Sequence, residues 1–122
     1  GRRAFEQVSA SLSIFPIQAY ENCPVHQNGG YGTSPDWPIQ IGGGLLLGQQ
    51  RTDDYLNALL GPRGEPVGYY REGTVDGKNG TLDKYTIYWG NRYSTLYFDI
   101  YNYSKISAPS GLTCSVLLPM AP

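Results

Sequence analysis

Residues 83–104, DKYTIYWGNRYSTLYFDIYNYS, alternate in polarity on both sides of one Gly-Asn step. That pattern admits few folds. Successive side chains of a strand point to opposite faces, and Gly90-Asn91 suits a two-residue hairpin loop. The register follows: Trp89 opposite Arg92, Tyr88 opposite Tyr93, Thr86 opposite Thr95 and Lys84 opposite Tyr97. One face then carries Tyr85, Ile87, Trp89, Leu96, Phe98 and Ile100. The other carries Tyr88, Tyr93, Tyr97 and Tyr101, with Lys84, Thr86, Thr95 and Asp99 among them. A four-residue loop preserves this sorting, whereas a three-residue loop scrambles it. The first face is read as core and the second as an amphipathic tyrosine ladder.

The rest of the chain supplies what packs on that hairpin. Thr52 is a good N-cap, Asp53 and Asp54 suit the positive end of a helix dipole, and Gly61-Pro62 is a stop signal. A helix is predicted over about 53–60, with Tyr55, Leu56, Leu59 and Leu60 as its apolar stripe; Leu45–Leu47 extend an apolar segment ahead of it. EPVGYYREG reads as a short strand and TVDGKNGT as a tight loop. QVSASLSI, 7–14, alternates as a half-buried strand. Residues 21–44 crowd turn-formers together, and Trp37 is the expected anchor of that long loop. The expected fold is one α+β domain over 1–122. It has an antiparallel sheet centred on strands at about 82–89 and 94–103, the helix lying on the Ile87/Phe98 side.

The function classes that charge excludes are clear. A net charge of −1 gives no long-range field for nucleic acid or anionic lipid. No apolar run approaches the roughly 20 residues of a membrane span, and GRRAFEQ has no apolar stretch behind its arginines, so no transmembrane segment or signal peptide is expected. Charged residues make up 16% of the chain, so the surface must rely on Tyr, Ser, Thr, Asn, Gln and Gly, which leans extracytoplasmic.

Cys23 and Cys114 are expected to pair, closing a loop of about 90 residues between a Pro-flanked and a Gly-flanked segment; two cytosolic thiols are the alternative. Cys23 and His26 form half of a zinc motif, but the chain has one histidine and no further cysteines to complete it. No metal and no cofactor are expected. IGGGLLLGQQR lacks the Lys-Ser/Thr ending of a phosphate loop, and no Gly-x-Ser-x-Gly elbow accompanies His26. Eight carboxylates from Asp36 to Asp99 offer material for an acid/base pair, though caps and turns explain most of them. Asp99, mid-strand among tyrosines and diagonal to Lys84, is read as a salt-bridge or Tyr-hydroxyl partner. Asn79-Gly-Thr and Asn102-Tyr-Ser have the form of glycosylation acceptors.

The run GTLDKYTIYW…TLYFDIYNYSKISAPSGLTC, 80–114, together with LLGPRGEPVGYYREG, 59–73, resembles the C-terminal part of small uncharacterised bacterial secreted or lipoprotein-type domains. The resemblance implies compartment and architecture and carries no activity. Three readings of function stand together. The first is a non-catalytic extracytoplasmic domain binding a protein or glycan through Tyr88, Tyr93, Tyr97, Tyr101 and Trp37. The second is a small carboxylate-dependent hydrolase of cell-wall or polysaccharide material, and the third an enzyme inhibitor using loop 24–44.

Overall fold

The computed structural model describes residues 18–116 and 118–119; the strand expected at 7–14 lies outside them. In chain order the elements are β1 (Ile39–Gln40), α1 (Gly44–Ala58), β2 (Leu59–Leu60), β3 (Gly68–Gly77), β4 (Gly80–Trp89), β5 (Arg92–Asp99) and β6 (Thr113–Cys114). Four strands form a mixed sheet in the order β1-β5-β4-β3, and β2 pairs with β6 in a second, two-stranded sheet. The domain is α+β.

The β4–β5 hairpin takes the register read from its alternation. Trp89 faces Arg92, Tyr88 faces Tyr93, Thr86 faces Thr95 and Lys84 faces Tyr97. The apolar face is core: Tyr85, Ile87, Leu96 and Phe98 are buried. Helix α1 packs on that face. Tyr55 meets the Phe98 ring edge-on at 5.4 Å, and Phe98 meets Tyr85 in the same way at 5.5 Å, the arrangement that aromatic quadrupoles favour. The Gln49 side-chain amide donates to the Tyr85 hydroxyl, and the Tyr69 hydroxyl donates to Asn57.

The helix differs from its expected bounds. It starts at Gly44, not beside Thr52, and takes in the Leu45–Leu47 run; leucine, glutamine and arginine favour helix. Thr52 is fully buried mid-helix, where its hydroxyl donates to the Gly48 carbonyl one turn back. Asp53 and Asp54 accept from Gln49 and Gln50, pairs one turn apart on the helix surface. Leu59 and Leu60 leave the helix because they pair with Cys114 and Thr113. Gly48 interrupts good helix formers for a packing reason: a Cβ there would lie 2.5 Å from Cβ of Ile100.

Two strands also depart from expectation. β3 runs to Gly77, with only Lys78 and Asn79 left as the turn before Gly80. β5 stops at Asp99, where the expected strand ran to 103. The Asp99 carboxylate accepts from the backbone N–H groups of Tyr101 and Asn102 and from the Asn102 amide, so it turns the chain. Lys84 is not its partner.

Cys23 and Cys114 form a disulfide with Cα atoms 5.7 Å apart. On the chain-entropy account a 91-residue closure removes about 4–5 kcal/mol of unfolded-state freedom. No helix among the described residues is long and apolar enough to cross a membrane.

Candidate binding face

The sheet face opposite α1 carries the tyrosine ladder. Its outer end is a row of three rings on three strands. Tyr70 of β3 lies 6.4 Å from Tyr88 of β4, and Tyr88 lies 6.3 Å from Tyr93 of β5. They are 54%, 41% and 74% exposed, so no other described part of the chain covers them. Sequence reading had placed Tyr88 and Tyr93 together but not Tyr70.

Local geometry explains how Tyr70 joins them. The β3–β4 register shifts between Arg71 and Gly73, a bulge that leaves Glu72 as the extra residue. Outside the bulge Tyr70 falls opposite Thr86, and Gly68 falls opposite Tyr88. Gly68 is the seat of the row. A Cβ there would lie 2.3 Å from ring atoms of Tyr88 and 2.6 Å from its hydroxyl. The Tyr88 ring therefore lies across the bare backbone of β3, a position that any side chain at 68 would contest.

Polar groups occupy the middle of the face. Thr86 donates its hydroxyl to Glu72, and Thr95 and the Lys84–Tyr97 pair follow along the hairpin. Tyr97 is half-buried, and its N–H donates to the Gly32 carbonyl of the loop before β1 at 2.9 Å.

The inner end of the face is a cleft of about 130 Å³, lined by Asp36, Trp37, Gln40, Lys78, Asn79 and Asp99 among others. Trp37 does anchor its loop. It meets His26 and Tyr31 edge-on at 5.0 and 6.0 Å, and His26 stacks flat on Tyr31 at 4.4 Å. The Tyr31 hydroxyl accepts from the Ser107 N–H, and burial pushes its phenol above the ordinary value. Trp37 is still 40% exposed and lines the cleft. The cleft and the tyrosine row lie at opposite ends of one face, about 20 Å apart along β4 from Leu82 to Tyr88 at ~3.3 Å per residue.

Tyr101 does not belong to this set. The turn at Asp99 carries it to a depression beside Leu45, Gln49, Arg71 and Asp83. Of the five binding candidates, Tyr88, Tyr93, Tyr97 and Trp37 share the open face.

The carboxylates considered for a hydrolase mostly have structural partners. Asp83 bonds Arg71 at 2.8 Å, Glu72 bonds Thr86, and Glu65 accepts from the Arg63 N–H. Asp36 and Asp99 line the same cleft, yet both oxygens of Asp99 are engaged in the turn. Both Cys23 and Cys114 are spent in the disulfide, and the His26 Nδ1 accepts from the Asn28 N–H. Loop 24–44 rests on its own domain, through a Val25–Ala108 bridge and a His26 N–H to Ala108 carbonyl bond.

Compared with known proteins, the chain matches no family model, no curated protein and no solved structure.

Proposed function

We propose that this is a non-catalytic, extracytoplasmic binding domain that holds a neutral glycan chain along its open sheet face. The row Tyr70–Tyr88–Tyr93, uncovered and seated by Gly68, carries the reading. Tyrosine rings offer apolar faces to the C–H faces of sugar rings, and their hydroxyls reach the hydroxyl-rich edge. Glu72, Thr95, Lys84 and the Trp37 cleft continue that mixture of ring and hydrogen-bonding group. Lys78 and Lys84 stand against Asp36, Glu72 and Asp99 on this face, so it carries no positive excess and nothing favours a polyanion.

Aromatic residues are enriched at protein contacts too; what favours a glycan here is the set of hydroxyl, amide and carboxylate groups that continues from the row along the face. Among the described residues the large exposed aliphatic side chains are Leu45, Leu46, Leu47 and Val116, and none lies on this face. The compartment is supported by the disulfide, which persists in oxidising environments, and by the resemblance of 80–114 to secreted or lipoprotein-type domains.

The test is affinity electrophoresis through gels containing soluble xylan, galactomannan or mixed-linkage glucan. Migration should be retarded by at least one of them. Tyr88→Ala or Tyr93→Ala should weaken retention by more than about 1 kcal/mol, roughly fivefold, with little change in melting midpoint. Variants that melt earlier yet keep full retention would reduce the row to hairpin glue.

A further inference from the structure

The most exposed apolar side chains of the described residues lie away from the tyrosine face. Leu45, Leu46 and Leu47, in the first turn of α1, are 83%, 94% and 57% exposed. The first turn of a helix favours acidic residues, and this one has none. From Pro38 to Gln50 no residue carries a charge. Tyr101, more than half exposed, stands beside Leu45. The tip is thus an apolar knob with glycine, glutamine and a tyrosine around it. The nearest charges are the Arg71–Asp83 ion pair, which neutralises itself beside Leu45, and Arg51 at the base, tied to the Ile41 carbonyl.

Its shape restricts what can cover it. Consecutive helix residues point about 100° apart, so three adjacent leucines splay and no flat protein surface buries them all. Three leucines also expose only a few hundred Å², well below the roughly 800 Å² per partner of a stable protein pair. Two convex knobs cannot enclose each other, which disfavours a second copy of the chain. A fluid apolar medium can surround all three. The Gly44 N–H bonds the Ile100 carbonyl and the Leu47 N–H that of Gly43, which leaves the N–H groups of Leu45 and Leu46 without a partner in the helix, and hydrocarbon penalises unpaired N–H groups. Contact is therefore shallow, with the leucines below the headgroups and the helix start at headgroup level. A tyrosine at the rim suits that level, and a net charge of −1 gives no preference for anionic lipid.

We propose that Leu45–Leu47 form a lipid-contacting tip that inserts into the surface of an uncharged bilayer. The test is flotation of the full chain with phosphatidylcholine vesicles. A fraction of the protein should float, unchanged between low and high salt. The double variant Leu45→Asn/Leu46→Asn should float at least tenfold less with an unaltered melting midpoint. Leu46→Trp keeps the apolar area, and it should float like the wild type with blue-shifted emission on vesicles. Absence of flotation, equal flotation of the double variant, or flotation only with anionic lipid would each overturn the proposal. So would a concentration-dependent dimer that the double variant abolishes, since the tip would then belong to a second copy.

Discussion

Gly68→Ala puts the two roles of Tyr88 in opposition. The new Cβ would stand 2.3 Å from the ring, where carbon contacts need about 3.5–4.0 Å, so the ring must retreat by more than about 1 Å. Tyr88 is a partly exposed side chain and can swing outward. Leaving its rotamer costs about 0.5–1.5 kcal/mol. Against this, alanine in a strand is favoured over glycine by roughly 0.5–1 kcal/mol. The two effects nearly cancel, so the melting midpoint should move by less than about 4 °C, the shift that ~1 kcal/mol produces in a domain of this size. Binding should not be spared. A displaced Tyr88 breaks the spacing to both Tyr70 and Tyr93, and glycan retention should fall at least fivefold. In a Tyr88→Ala background the clash is gone, and Gly68→Ala should then stabilise by about 0.5–1 kcal/mol. Denaturant titrations of the four proteins, run beside affinity electrophoresis, supply every corner of that cycle. A loss of more than ~2 kcal/mol on Gly68→Ala alone would mean that the ring is locked as core. Undiminished retention would mean that its placement is irrelevant to binding.

Two further outcomes follow from the interior. Tyr55 is fully buried and donates to the Ser107 carbonyl at 2.7 Å, so Tyr55→Phe should cost about 1–2 kcal/mol in denaturant titration by stranding that carbonyl. Burial raises the phenol of Tyr55 well above 10.0, and desolvation raises Tyr31, Tyr69 and Tyr85 as well. Above pH 10 the unfolded chain holds fewer protons than the folded one. The contribution is complete below pH 10 and is lost as pH rises beyond it; Tyr55→Phe should flatten that alkaline decline, and a decline of unchanged slope would refute the assignment. Reduction of Cys23–Cys114 should lower stability by up to about 4–5 kcal/mol, and intact mass after alkylation should show two blocked cysteines only in reduced samples.

The parts of this fold legible in the sequence are those set by neighbours along the chain. The β4–β5 register follows from alternation about Gly90-Asn91, and with it the core face of Tyr85, Ile87, Leu96 and Phe98. What was not legible depends on distant partners. Leu59 and Leu60 carry helix propensity, but Cys114 and Thr113 draw them into a strand pair. Thr52 has the chemistry of an N-cap, yet a helix that had already begun at Gly44 left its hydroxyl only the Gly48 carbonyl. At the site, Tyr88 and Tyr93 are cross-strand neighbours and could be paired by number. Tyr70 could not, because the bulge at Glu72 shifts its register. The signal available was the pair Tyr69-Tyr70, one ring for each face. Tyr101 was misplaced for the converse reason: period two was continued through Asp99, whose carboxylate accepts from the N–H groups of Tyr101 and Asn102 and ends the strand.

The clamp between residues 23 and 114 also has a mechanical meaning. The Tyr20 N–H bonds the Cys114 carbonyl at 2.8 Å, so the two strands of chain meet side by side at the disulfide. A pull on the chain outside this point would run through one sulfur–sulfur bond and leave the 91-residue loop unloaded. The sheet, the helix and the tyrosine row would feel almost none of it. Under tension the domain would behave as an inextensible bead while oxidised. Once reduced, the same loop could pay out roughly 300 Å of slack at ~3.3–3.6 Å per residue, making a single redox event a length switch.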